Sequence, residues 1–286
     1  MKHTLIVGYG QLGSALCEQL LNHGQQVTTI SRKQHAVLSK HHQHLQIDLD
    51  NETNPIEITE QLDTLCYFAP PSDTDLTDQR LTQFLLALQS PVAHIIYIST
   101  SGVYGDCAGQ LIDEQYPTKP SASRSKRRLD AEQQLVQFNK STSTAVTILR
   151  CAAIYSSNTV NRKRIAANTR PVINQNQAPY TNRIHLEDLV EVCVCAIKNT
   201  ADGIEIYNVS DGHASTTTDH AWLLSDLAGL KRMPEIAIED ADQYYSPAYI
   251  SYLNESKRLD ITKLKKNLKP VFKFASISDG IIYCLR

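Results

Sequence analysis

Three glycines, Gly8, Gly10 and Gly13, stand between a short apolar run, Leu5-Ile6-Val7, and a stretch of helical period. This spacing suits the pyrophosphate of a dinucleotide. The first glycine permits a tight turn and the second lets a phosphate approach the backbone. The third lets a helix pack close to its strand, with amide groups and dipole facing the anion. Alone the pattern is weak; opening a strand–helix unit within the first ~30 residues it is strong. Tyr9, Gln11 and Leu12 complete the expected phosphate turn. The end of the next apolar run, Thr29-Ile30-Ser31-Arg32-Lys33, decides which dinucleotide fits. NAD sites place an acidic residue there to hold the ribose hydroxyls. Here no carboxylate stands at that place; the Arg32 guanidinium, with the Lys33 ammonium beside it, can meet a 2′-phosphate, and Ser31 is a further expected cofactor contact. The reading favours NADP over NAD, with Arg32 and Lys33 as plain loop charges the alternative. Thr100 follows another strand-like run, at the end where open α/β sheets bind ligands; its hydroxyl either bonds a substrate carbonyl or hydroxyl, or satisfies local backbone. Arg124 can grip a carboxylate or phosphate, or stand as a surface helix charge.

The elements that position these residues alternate. Strands are expected at Leu5–Val7, Gln26–Ile30, Leu45–Ile47, Thr64–Ala69, His94–Ile98, Ala145–Leu149 and Ile204–Val209. Helices are expected from about Gln11 to Asn22, Asp78 to Gln89, Ser123 to Asn139, Leu186 to Lys198 and Ala221 to Leu227. In the first helix, Leu12, Ala15, Leu20 and Leu21 are expected to face inward. Near-continuous apolar strands alternating with helices imply a doubly wound parallel sheet of Rossmann type, an α/β fold. Residues 1–155, completed by 183–209, form the expected dinucleotide-binding domain; 156–182, with little apolar periodicity, and 210–286 form a small C-terminal substrate lobe.

Composition sets limits on partners. The 286 residues are 42% apolar and 20% charged, with a formal net charge of -2, which asks for neither nucleic acid nor a membrane surface. No apolar run approaches the roughly 20 residues of a membrane span. Met1-Lys2-His3 leads straight into a strand without a signal-peptide core, so a cytoplasmic protein is expected. Seven cysteines lack paired spacing, and Cys193 and Cys195 are too close for the usual metal pair. Buried free thiols are expected, with no metal.

On these residues the chain resembles the extended short-chain dehydrogenase/reductases of the NAD-dependent epimerase/dehydratase type. Asp48-Leu49 matches the family's adenine-side aspartate motif, and Phe68-Ala69-Pro70 its fourth-strand turn beside the cofactor. Ser99-Thr100-Ser101-Gly102-Val103-Tyr104-Gly105 matches the fifth-strand motif that carries a catalytic Ser or Thr. Arg183-Ile184-His185-Leu186-Glu187-Asp188-Leu189 matches the motif opening a later helix. The resemblance implies cofactor contacts at Asp48, Leu49, Phe68, Ala69, Pro70 and Ser99, and substrate contacts at Ser101, Tyr155 and Arg183. Tyr155 could equally pack in a core. His185 is expected as a packed histidine. A homodimer remains open, because family members pair through helices beside the fourth and fifth strands.

The chain departs from the family where its chemistry lies. The family carries a tyrosine and a lysine four residues apart on the helix after the fifth strand. The tyrosine moves a proton, and the lysine lowers its pKa and holds the nicotinamide ribose. Aligned on Glu132, Arg124 takes the tyrosine place and Arg128 the lysine place, where Arg128 can contact the ribose instead. No tyrosine lies between Tyr116 and Tyr155. Arginine, effectively always protonated, is a poor general base. Ser101-Gly102 replaces the Asp-Glu pair of the family's dehydratases. Tyr104 is the nearest phenol by motif and the alternative acid/base. The chain thus resembles the family's atypical subgroup. Two readings follow: an NADP-dependent oxidoreductase or epimerase acting on a small polar or sugar-like substrate, or a non-catalytic module that senses NADP(H).

Overall fold

The computed structural model describes residues 1–51, 55–56, 58, 61–200 and 202–286. Strand β1 (His3–Val7) is buried at all five positions, as a strand covered on both faces must be. Helix α1 (Gln11–Asn22) follows, then β2 (Gln26–Ser31), β3 (His42–Gln46), β4 (Leu62–Tyr67), α2 (Gln79–Ala87) and β5 (Val92–Thr100). Next come β6 (Leu111–Ile112), α3 (Ser123–Thr142), β7 (Ala145–Cys151), β8 (Ala153–Tyr155), α4 (Arg162–Ala167), β9 (Val172–Ile173), β10 (Tyr180–Thr181) and β11 (Arg183–His185). The chain continues with α5 (Leu186–Lys198), β12 (Ile204–Val209), β13 (Ser215–Thr216), α6 (Thr217–Ala228), β14 (Glu235–Ile236), α7 (Pro247–Leu253), β15 (Arg258–Leu259), α8 (Thr262–Asn267) and α9 (Ile277–Leu285).

Seven strands form one sheet in the order β12-β7-β5-β4-β1-β2-β3. Every pair from β3 to β5 is parallel. This is the expected doubly wound α/β sheet. Its order reverses between β4 and β1, the switch point beside which such sheets bind ligands. Leu5, Val7, Leu65, Tyr67 and Ile95 pack against Leu81 and Phe84 of α2 and Ala131 and Leu135 of α3 in a common core.

Two expectations need correction at residue level. The buried face of α1 is Gly13, Leu16, Cys17 and Leu20, not the one built on Leu12, Ala15 and Leu21. Gly13 sets the helix phase because it touches the strand. Strand β3 starts at His42, three residues before its expected start, because an edge strand tolerates the polar His42, Gln43 and His44.

The chain divides into two compact units. The first comprises Met1–Val103, Ser123–Arg150 and Val190–Tyr207; the second comprises Tyr104–Ala122, Cys151–Leu189 and Asn208–Arg286. Segments 104–122 and 151–155, assigned by sequence to the dinucleotide-binding domain, thus group with the second unit. Pairings draw them there: β6 pairs with β15, and β8 with β11. The stretch 156–182 holds α4, β9 and β10, elements too short to leave a periodic pattern. Around Tyr155, Val160, Ile165, Ala228, Ile281 and Cys284 the second unit builds a core of its own. All seven cysteines are free and buried.

Candidate functional site

In the first unit, β1 hands over to α1 through Gly8, at φ 104°, whose N–H donates to Ile30 O at 2.9 Å. A Cβ on Gly8 would stand 2.6 Å from Ala69 N, and one on Gly13 would stand 2.2 Å from Gly8 O. Both glycines are required by the protein's own packing. Gly10 is different, because a Cβ there meets nothing within 4 Å. It is the N-cap of α1 and gives no side-chain cap. First-turn amides have no intrahelical acceptor. An uncapped helix start behind a bare glycine therefore fits an anion that approaches the backbone closely.

The end of β2 is basic, and Arg32 and Lys33 are exposed. A carboxylate lies within electrostatic reach of Arg32 after all, that of Asp50. Hydrogen bonds from Arg80, at 2.8 and 2.6 Å, hold it ionised below its ordinary range, with a smaller contribution from Arg32. The same Arg80 donates to Pro70 O, tying the turn after β4 to Asp50. Asp48 accepts from Asp50 N and Asn51 Nδ2, so its oxygens are engaged in their own turn, each with a lone pair to spare. Leu49 is a core residue, 8% exposed, which corrects its expected role: only its backbone can serve a cofactor. Phe68 is half-buried and Ala69 buried.

Beside Arg32 runs a line of hydrogen bonds that sequence reasoning missed. Leu38 N–H donates to His42 Nδ1 at 3.1 Å, so His42 carries its proton on Nε2 and donates to Thr29 Oγ1 at 2.9 Å. Thr29 donates in turn to His44 Nδ1 at 2.8 Å, and His44 Nε2 donates to Lys33 O at 2.9 Å. Burial, then neighbouring His44, lowers the pKa of His42 and keeps it neutral. The ring of Tyr9, from the glycine turn, packs edge-on against His35 at 4.9 Å. Alternating histidines on a strand were the available signal.

At the other side of the switch point, β5 meets α3. Glu132, buried on α3, accepts from Arg150 Nη2 at 2.8 Å and from Ser99 Oγ. The Ser99 hydroxyl proton is therefore engaged by Glu132, which leaves its oxygen and backbone for any contact with a cofactor. Thr100 Oγ1 accepts from Gly102 N at 3.1 Å, which leaves its own proton to donate. Ser101 is half-buried in the turn that follows. Arg128 donates through Nη1 to Tyr97 OH at 3.2 Å and Ile98 O at 2.8 Å, so it is anchored to β5. Its remaining N–H groups can face a ribose. Arg124 is exposed one turn earlier on the same helix.

The second unit corrects a further expectation. Tyr104 is fully buried and donates to Asn208 Oδ1 at 2.7 Å; Asn208 Nδ2 donates onward to Ile112 O and Asp260 O. Tyr104 is a strut, not an acid/base. Tyr155 is 5% exposed, lies edge-on to His185, and points its hydroxyl at Gly280, where a Cβ would stand 2.1 Å away. It packs in the core of this unit, the alternative expected beside a pocket role. His185 is packed as expected, its Nδ1 accepting from Glu187 N and its ring 4.3 Å from Phe274. Arg183 is buried at 9% exposure.

Among the described residues, no three His, Cys, Asp or Glu side chains are placed to hold a metal ion, and no helix is long and apolar enough to cross a membrane.

Comparison with known proteins agrees with this architecture. The human dTDP-D-glucose 4,6-dehydratase is 22% identical over 230 residues, 74% of this chain and 63% of that protein, so the chain spans under two thirds of its curated relative. A functionally unknown conserved protein from Silicibacter pomeroyi has a TM-score of 0.78 at 23% identity, covering 99% of this chain and 98% of its own. A UDP-glucuronic acid 4-epimerase from Bacillus cereus, solved in complex with NAD, has a TM-score of 0.74 at 18% identity, covering 98% and 94%. These structural likenesses establish a shared fold. A model of the NAD dependent epimerase/dehydratase family matches residues 4–210, and the chain belongs to that family.

Proposed function

We propose that the chain binds NADP(H), in preference to NAD(H), and acts as an oxidoreductase or epimerase at a hydroxyl or carbonyl carbon of a small polar or sugar-like substrate. The observation that carries this reading is the bare Gly10 turn at an uncapped helix start, beside a β2 end with exposed Arg32 and with its nearby carboxylate already held by Arg80. Asp50 so engaged is a weak competitor for a 2′-phosphate. Solved relatives hold NAD or act on UDP-linked sugars, which supports the sugar-like substrate; the basic β2 end argues for the phosphorylated dinucleotide here.

When bound, the dinucleotide supplies hydride exchange. The chain's own residues do the rest. The glycine turn and the first amides of α1 hold the pyrophosphate. Arg32, with Ser31, meets the 2′-phosphate. Arg128, fixed on β5, orients the ribose in the lysine's place. In the reducing direction the Thr100 hydroxyl, whose oxygen accepts from Gly102 N, donates its proton to the carbonyl oxygen and is reprotonated from water, because α3 offers only arginines where the family keeps its acid/base.

That same absence favours a second reading, a module that binds NADP(H) and signals without turnover. Calorimetric titration with NADPH and NADH tests the cofactor. Wild type should prefer NADPH, and Arg32→Ala should weaken NADPH about 10- to 100-fold, the loss of one charge-assisted contact, with NADH unchanged. Binding of neither would sink both readings. A screen for NADPH oxidation with carbonyl compounds separates them: turnover lost in Thr100→Ala at unchanged NADPH affinity marks the enzyme.

A further inference from the structure

Tyr9 stands between Gly8 and Gly10, the two glycines that shape the turn from β1 into α1. A side chain that packs on its ring is thereby brought beside that turn. Three imidazoles do so. His35, from the loop after β2, lies edge-on with ring centroids 4.9 Å apart; His44 and His42, from β3, lie tilted at 5.7 and 5.9 Å. His35 also meets His44 edge-on at 5.2 Å. Burial, then the neighbouring Cys17, raises the Tyr9 phenol to about 12, so the ring they share stays neutral.

The three imidazoles differ in what their nitrogens do. Both nitrogens of His42 and both of His44 are spent in the line from Leu38 to Lys33. Neither ring nitrogen of His35 makes a hydrogen bond with the described residues. Yet this ring is half-buried and held from two sides. Its contacts with Tyr9 and His44 fix the side chain. The backbone leading to it is tied to β3, because His44 Nε2 donates to Lys33 O at 2.9 Å and Gln46 Nε2 donates to Arg32 O at 3.1 Å. A ring already ordered, with its donor unspent, gives up little side-chain freedom when a ligand arrives. Arg32 and Lys33, on the same loop, are exposed and carry long stems that must be ordered on binding. A phosphate has acceptor oxygens enough for a guanidinium and a further donor, and such charge-assisted bonds are the strong ones.

We propose that His35 is a specificity-determining residue of the dinucleotide site, donating a ring N–H to the 2′-phosphate alongside Arg32, with Tyr9 and His44 as the mount that aims it. The inference rests on the NADP reading above. It adds a residue that lies outside both the glycine motif and the basic end of β2.

Calorimetric titration of the full chain with NADPH and with NADH tests it, because the two probes differ only by the 2′-phosphate. Wild type is expected to prefer NADPH. His35→Phe keeps a ring for Tyr9 and His44 but carries no N–H. It should bind NADPH about tenfold more weakly, the loss of one hydrogen bond to a charged group, and NADH as before. A role in packing alone would weaken both probes or neither. His35→Gln returns a donor without the ring and should hold NADPH about threefold more tightly than His35→Leu, which has neither; that pair carries the test if His35→Phe does not fold. Undiminished NADPH affinity in His35→Phe, or equal weakening toward the two probes, overturns the assignment. If Arg32→Ala, titrated alongside, still loses NADPH, the cofactor reading survives that outcome and His35 alone leaves it. A wild type without preference for NADPH removes both.

Discussion

Replacing Glu132 by Gln removes one charge from the buried pair under the end of β5 while keeping the side chain's shape. The Glu132 and Arg150 side chains are 4% and 6% exposed and 2.8 Å apart, and Arg150 also donates through Nε at 3.2 Å. Attraction within such a pair is largely offset by the desolvation of both ions, so its net worth is small. Breaking it is another matter, because the remaining guanidinium stays buried without a counter-charge, at a cost of about 3–5 kcal/mol. That is a large share of the roughly 5–15 kcal/mol that holds a protein folded. With a urea dependence of about 3 kcal/mol per molar, the midpoint of Glu132→Gln should fall by about 1–1.7 M. Removing the orphan as well, in Glu132→Gln/Arg150→Met, should recover at least half of the loss. Urea unfolding followed by far-ultraviolet circular dichroism measures both. A midpoint within about 0.3 M of wild type, small against this urea dependence, or a double variant no more stable than the single one, would refute the reasoning.

His94 is buried, with Nε2 2.8 Å from Thr147 Oγ1, and burial lowers its pKa from 6.5 to about 4. The unfolded chain therefore binds a proton before the folded one does. The stability His94 adds is full above pH 6.5 and is lost as pH falls toward 4, about 3 kcal/mol in all; His94→Gln should flatten the pH dependence of urea midpoints over that window by this amount, and an unchanged slope would contradict the assignment. Gly10→Ala should leave the melting temperature near wild type and abolish NADPH binding, whereas Gly13→Ala should destabilise the fold; melting and calorimetry compare them, and equal effects on stability would remove the distinction drawn from their surroundings. Tyr104→Phe should lose about 1 kcal/mol of stability with its bond to Asn208 and keep any turnover found; loss of turnover at unchanged stability would restore Tyr104 as an acid/base.

What the sequence made legible follows from how local each signal is. Helix α5 and strand β12 fall at their expected bounds, because an amphipathic stretch and an apolar run declare themselves. The glycine turn was readable because strand, spacing and helix adjoin. Strand β5 runs to Thr100, two residues past its expected end. Ser99 and Thr100 look like loop residues until Glu132, 33 positions away, satisfies the buried Ser99 hydroxyl. The engagement of Asp50 by Arg80 across 30 positions escaped for the same reason. Tyr104 was misjudged because a motif gives a position but not its burial. The enclosed polar atoms of Arg183 and Asp211 are a property of packing alone, and the sequence offered only the motif that contains Arg183.

The line from Leu38 through His42, Thr29 and His44 to Lys33 has a polarity, each member giving to the next, and it spans only residues 29–44. The groups that would discriminate between dinucleotides thus ride on a cassette separate from the glycine turn that would grip their common pyrophosphate. Such a division makes the choice of coenzyme an exchangeable property. A lineage, or an engineer, can rewrite β2, β3 and the loop between them while the glycines of the phosphate cradle stay, with only the Tyr9 ring, which packs on His35, having to adapt. Thr29 is the point where such rewriting is most constrained: replacing it with valine keeps the strand but strands two imidazoles at once, so the histidines and Thr29 should be inherited, or abandoned, as a set.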